Sequence, residues 1–350
     1  MIYVLTAAIL FGASAPLSKL LLGQLDPIVL AAFLYLGSGG VAWLLFGVSR
    51  RQRTGQMRET AVTRSDVPWL AGAVISGGVV APILLMVGLA RTPASTASLL
   101  LNFEGVATGL LALWLFKEAV DRRIFLAMGL ITLAAILLSW NGGDWGLSVG
   151  AAAILGACFF WGLDNNLTRH ISAKDPLMIV GVKGLAAGGF SLLLALFLGR
   201  PLPHLAYGAA AMLLGAVSYG LSIQFFILGL RSLGAARTST LYGIAPFVGT
   251  FLAFILLHEI PNSLFWVSLP LMLAGAWLMV SERHAHLHTH PAMVHVHPHT
   301  HPGDVHHTHT HESMPEGTKP FSHSHEHEHE ELVHDHAHTP DLHHWHEHGK

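Results

Sequence analysis

GLARTPASTASLLLNFEGVATGLLALWLFKE (Gly88–Glu118) and GLRSLGAARTSTLYGIAPFVGTFLAFILLHE (Gly229–Glu259) align without a gap over 31 positions. Each is an apolar run closed by a glutamate. A second pair lies upstream: FGASAPLSK (Phe11–Lys19) and WGLDNNLTR (Trp161–Arg169), each followed by an Asp-Pro, Asp26-Pro27 and Asp175-Pro176. The chain therefore carries two copies of one unit, 1–140 and 148–281. A bilayer core takes roughly 20 apolar residues per helix. Ten such runs are present, at about 2–22, 27–48, 67–90, 94–116, 122–140, 148–170, 177–198, 205–230, 236–257 and 262–281. Soluble helices would alternate with polar faces, and these do not. Small residues recur within them, as close helix contact in lipid requires.

Five spans per copy is an odd number. The second copy must enter the membrane from the side opposite to the first, which makes inverted repeats. That arrangement builds transporters with a substrate site near the midplane, between the repeats. The predicted class is an all-α membrane protein: ten transmembrane helices as two inverted five-helix repeats, followed by a disordered tail over 282–350.

Composition agrees with that division. Of 350 residues, 52% are hydrophobic and 11% are Asp, Glu, Lys or Arg, against about 25% charged in soluble domains. Of the 26 histidines, 23 lie from His284 onward. A single cysteine, Cys158, excludes a disulfide framework and reads as a small packing residue. The net charge of −2 gives no case for nucleic acid. Ala13-Ser14-Ala15 resembles a signal-peptidase site, but no basic segment precedes it and Pro16 follows directly. With the N-terminus placed in the cytoplasm, 13 Lys and Arg fall in inner loops and 3 outside. That bias puts both termini, and the tail, inside a bacterial-type inner membrane.

The Gly12/Lys19 and Gly162/Arg169 elements, the Leu99–Glu118 run and its partner ending in Glu259 resemble the EamA domain of the drug/metabolite transporter superfamily. The resemblance covers 1–281. It implies a ten-helix bundle around a central cavity, working by alternating access. In one place the chain departs from the usual pattern: the first copy has Gly105 where the second keeps Pro246, so the fourth span is expected to be less kinked than the ninth.

Ionisable groups at membrane depth are costly, so each is a candidate for function. Glu104, Asp164 and Lys183 are such groups, and Asn102, Asn165 and Asn166 stand beside them in sequence. These six are the candidate substrate path. Glu104 is ten residues into its run, about 15 Å deep at 1.5 Å per residue. A buried carboxyl there can exchange a proton for a cation, the elementary requirement of antiport. Asp164 and Lys183, opposite in sign on neighbouring spans, are either part of the path or a pair that fixes packing. Lys19 and Arg169 sit at span ends, where snorkelling is the default. Glu118 lies four residues before Arg122, which suits a surface pair. Trp114, Trp140 and Trp161 read as interface anchors or packing.

The tail repeats H-x-H: His284, His286, His288, His290; His295, His297, His299, His301; His307, His309, His311; His323, His325, His327, His329; His334, His336, His338; and His344, His346, His348. Alternate residues of an extended chain share a side, so each run offers several imidazoles to one ion. Imidazole suits nickel, cobalt, zinc and copper. With few apolar residues to bury, the segment is expected to be disordered without metal. Interspersed Glu, Asp, Pro and Thr speak against an expression tag. No cofactor is required, and no nucleophile–base pairing or phosphate loop suggests an enzyme.

The sequence thus reads as a permease embedded in the lipid bilayer, a monomer or homodimer. The first expectation is proton-coupled export of a divalent transition metal such as nickel or cobalt, with the tail collecting the ion. Export of a small organic metabolite or drug, with an accessory metal-binding tail, is the alternative.

Overall fold

The computed structural model describes residues 1–52, 62–116, 122–140, 148–171, 174–233, 238 and 241–280, together with the backbone of four strands in the tail. The first repeat runs α1 (Ile2–Gly12), α2 (Ser14–Leu21), α3 (Pro27–Gln52), α4 (Val67–Ala73), a π-helical segment (Val74–Val80), α5 (Ala81–Arg91), α6 (Ala94–Leu100), α7 (Phe103–Phe116) and α8 (Arg122–Ser139). The second runs α9 (Val149–Arg169), α10 (Pro176–Phe197), α11 (Leu205–Gly215), a second π segment (Ala216–Leu221), α12 (Ser222–Leu233), α13 (Ala245–Leu257) and α14 (Ser263–Val280).

Seven helices among the described residues are long and apolar enough to cross a membrane. They are the first five runs, the seventh and the eighth. The sixth, α9, is 21 residues long and carries the Asp164–Arg169 polar step. The ninth and tenth are shorter. The ninth is interrupted at Gly243-Ile244, which leaves the 13 residues of α13 beyond the break. Pro270 lies inside α14.

Each of the duplicated Asp-Pro dipeptides starts a helix. Asp26 Oδ1 accepts from the Ile28 amide at 2.9 Å, and Asp175 Oδ1 from the Leu177 amide at 2.9 Å. Each carboxylate caps its helix while proline fills the first turn, where no amide donor is missed.

The halves interlock with the pairing that inverted repeats demand. α3 lies along α10, and α8 along α14. α7 packs on α9, and its counterpart α13 packs on α1. α5 packs on α9, and α12 on α1. Glycine permits the closest of these approaches. A Cβ on Gly12 would strike the Ala245 carbonyl, and one on Gly162 would strike the Ala107–Thr108 backbone. These are equivalent positions of the two copies, each facing the other copy's broken span.

The break in the fourth span corrects the expectation drawn from Gly105. α6 ends at Leu100 and α7 begins at Phe103 although no proline is present. The chain tightens to three-residue hydrogen bonds there: the Asn102 amide donates to Leu99 O at 3.1 Å and the Glu104 amide to Leu101 O at 3.1 Å. Asn102 Nδ2 also donates to Leu99 O, at 3.0 Å. A side-chain donor thus supports the turn that proline imposes elsewhere. The π segments are likewise duplicated, 74–80 and 216–221, in the third and eighth spans.

In the tail, backbone is described over four short segments. His284–His290, Met293–His301, Phe321–His329 and Leu332–His338 form β1 to β4, with β1 antiparallel to β4 and β2 antiparallel to β3. The physical reason is the period of the H-x-H pattern, which is that of a strand. The register sets His284, His286 and His288 opposite His338, His336 and His334, and His295, His297 and His299 opposite His327, His325 and His323. His307, His309, His311, His344, His346 and His348 lie outside the described residues.

Candidate functional site

The polar residues at membrane depth converge where α7 meets α9. Glu104 opens α7, one residue beyond the break, and Thr108 follows one turn on. Asn165 Nδ2 reaches across from α9 to Glu104 Oε1 at 2.9 Å and Thr108 Oγ1 at 3.1 Å. Asn166 Nδ2 donates to Thr108 O at 3.1 Å and to Gly162 O at 2.8 Å. The Thr108 hydroxyl donates to Glu104 O at 2.8 Å. In lipid every freed backbone carbonyl needs a partner within the protein, and these side chains supply it. Cys158 lies on the same seam, its Sγ 3.6 Å from Leu100 O, in the packing role expected of it.

Glu104 shares a helix face with Ala107 and Thr108, which abut α9. Leu110, about 120° around the helix from Glu104, is an exposed apolar side chain, as a lipid-facing position is. Asn165 is exposed although Trp161 and Gly162, one turn before it, are both buried. Residues three and four apart share a helix face. The accessible surface of Asn165 therefore opens on the bundle interior, and half-buried Glu104 borders the same space.

Aromatic rings from both repeats form a cluster of their own. Tyr219 packs on Phe11 with centroids 5.7 Å apart and on Tyr35 at 6.0 Å. Tyr242 packs on Phe11 at 5.7 Å and on Phe226 at 4.8 Å. The Tyr35 hydroxyl and Trp161 Nε1 both donate to Gly77 O, at 2.8 and 3.0 Å. Gly77 belongs to the first π segment, whose irregular ladder leaves that carbonyl available.

Asp164 and Lys183 form an ion pair between α9 and α10. Asp164 Oδ1 also accepts from Thr168 Oγ1 at 3.0 Å. The carboxylate is 4% exposed and lies over Gly77, where a Cβ would collide with it. Among the described residues, Glu104 is the mid-span carboxylate with no salt-bridge partner.

Of the six predicted path residues, the structure joins Glu104 to Asn165 directly and places Asn166 behind them as a backbone anchor. Asn102 turns to its own helix, and Asp164 and Lys183 face each other. Sequence reasoning missed Thr108, Tyr35, Tyr219 and Tyr242. Two of these, Tyr219 and Tyr242, fall near the second π segment and the second break, a position that the alignment with the first copy could have flagged. Lys19 does not simply snorkel. Its ammonium donates to Leu89 O at 2.5 Å, Thr92 O at 2.9 Å and Ala90 O at 3.3 Å, at the end of α5. Among the described residues no three His, Cys, Asp or Glu side chains gather as a metal site.

Residues 1–140 and 148–281 each match the sequence profile of the EamA-like transporter family. An uncharacterized transporter of Methanothermobacter thermautotrophicus is 31% identical over 296 residues, covering 79% of this chain and 85% of its own length. The uncharacterized transporter YwfM of Bacillus subtilis is 28% identical over 130 residues, 37% of this chain and 44% of its own. A solved crystal structure superposes with a TM-score of 0.56 at 19% identity, over 79% of this chain and 94% of that one. It shares the fold.

Proposed function

This chain belongs to the EamA-like transporter family, and we propose that it exports a small organic solute bearing one positive charge, in exchange for protons, through the Glu104–Asn165–Thr108 site. Membership makes it an integral membrane transporter rather than an enzyme. The substrate and the coupling ion are our reading.

The observation that carries it is the charge count at the site. Glu104 and Asp164 are acidic and Lys183 is basic, and the last two already neutralise each other. One negative charge remains, on Glu104. A single proton or a monocation balances it, whereas a divalent ion would leave an uncompensated positive charge in low dielectric, which is costly. Tyr219, Tyr242 and Phe11 add ring faces that attract an ammonium group. Proton and cation then compete for one carboxylate. That competition couples their movements when access to the site alternates.

Divalent metal export is the second reading, and the histidine tail favours it. The oxygen-rich site does not: imidazole, which suits nickel and copper, is missing among the described mid-span residues, and the Cys158 thiol points to Leu100 O instead. We assign the tail an accessory role, binding transition metals in the cytoplasm.

Proteoliposomes with an imposed pH gradient test the proposal. Ethidium, a planar aromatic monocation, should accumulate in a gradient-dependent manner, and Glu104→Gln should lower that flux by about a hundredfold, as loss of a charge-assisted contact of roughly 3 kcal/mol implies. Glu104-dependent flux of nickel or cobalt in the same vesicles, with none of ethidium, would replace this reading by the metal one.

A further inference from the structure

We propose that Lys19 and Glu259 form a latch that shuts the site on their own face of the membrane. The inference goes beyond the choice of substrate and concerns how access alternates.

The geometry is that of a clasp on one turn. α5 ends at Arg91 and α6 begins at Ala94. Lys19, from the first span, holds the carbonyl end of α5 through Leu89, Ala90 and Thr92. Glu259, from the other repeat, holds the amide end of α6: its carboxylate accepts from the Ala94 amide at 2.6 Å, the Ser95 amide at 2.8 Å and the Ser95 hydroxyl at 2.6 Å. Each charge has the sign that its helix end attracts. The backbone is shaped to deliver Glu259. His258 has φ 52°, a left-handed conformation uncommon for a residue with a side chain, and it turns the chain off the end of α13.

The space behind the clasp is sealed but polar. Ser14, Ser18, Ser95 and Ser98 are all buried there, each at most 3% exposed. Ser18 Oγ and Ser98 Oγ have no hydrogen-bond partner among the described residues. Buried, unpartnered hydroxyls are unfavourable in any permanent core. They are accounted for if this layer is the wall of a pathway that is hydrated in another state. On the far side of Glu104 the opposite holds, since Asn165 is accessible. The structure is therefore sealed at the Lys19–Glu259 face, whereas Asn165 beyond Glu104 is exposed.

The sequence copies the parts. Lys19 aligns with Arg169, Glu259 with Glu118, and the clasped turn 91–95 with 232–236. Glu118 lies outside the described residues, and the proposal rests on Lys19 and Glu259.

Thiol accessibility tests this without a transport assay, so its failure and that of the proposed substrate are distinguishable. In a Cys158→Ser background, Ser98→Cys places a reporter in the sealed layer. A membrane-impermeant maleimide is applied from either side. Glu259→Gln or Lys19→Met should raise labelling from the Glu259 face about tenfold, as the loss of a charge-assisted hydrogen bond implies. Glu259→Asp should restore most of the protection, and Glu118→Gln should give no increase. Should Glu259→Gln fail to fold, Lys19→Met alone decides. Unchanged labelling in both latch variants, or an equal rise with Glu118→Gln, would overturn the proposal.

Discussion

Glu104 and Asp164 are both carboxylates at membrane depth, yet their surroundings assign them different work. Asp164 is buried, paired with Lys183 and hydrogen-bonded by Thr168. Glu104 is half-buried and held only by an amide that water or a substrate can replace. The sequence supplied the residue types and their depth, but not this division, because partners lie on helices distant in the chain. The difference predicts a mutant cycle. Lys183→Met leaves Asp164 uncompensated and should cost about 3–5 kcal/mol. Adding Asp164→Asn should return most of that stability, as measured by thermal unfolding in detergent. If the double variant is also transport-competent, the pair is structural; an unrecovered double variant contradicts that assignment.

Helices and their interruptions were legible where the signal is local. The runs that begin near 27 and 177 are helices, capped by Asp26 and Asp175. The fourth-span break was missed because proline was taken as the only mark of such a turn. Here Asn102 closes it with a side-chain donor, a use of asparagine that one sequence does not distinguish from a ligand. The π segments carry no local signature. In the first of them, Gly77 O accepts from two side-chain donors of distant helices. What the repeat did transmit was contact: Gly12 and Gly162 meet the opposite copy's broken span alike. Gly12→Leu and Gly162→Leu should each destabilise the protein by about 1–3 kcal/mol through overpacking. Gly129→Leu should be tolerated, because nothing lies within 4 Å of a Cβ there. Thermal shifts that fail to separate Gly129 from the other two would count against the interlocked arrangement.

At the scale of the molecule, two copies of one unit make a bundle whose halves complete each other, yet the chemistry is lopsided. Glu104 aligns with Ala245, and Asp164 and Thr168 align with Ser14 and Ser18. Duplication thus built the scaffold, and later divergence placed charge on one side of it. The ten-run pattern and the odd span count already pointed to the inverted scaffold. The aromatic cluster of Phe11, Tyr35, Tyr219 and Tyr242 was invisible, since its rings come from four separate helical segments. The two-residue period of the H-x-H tail matches the extended backbone of its four described segments. The most direct measurement of the account is the water accessibility of position 104. In a Cys158→Ser background, the thiol of Glu104→Cys should react with a charged, membrane-impermeant methanethiosulfonate, while that of Leu110→Cys, on the lipid side of the same helix, should not. An inert thiol at position 104, or one that only a lipid-soluble reagent modifies, as expected at position 110, would contradict a polar chamber between the repeats.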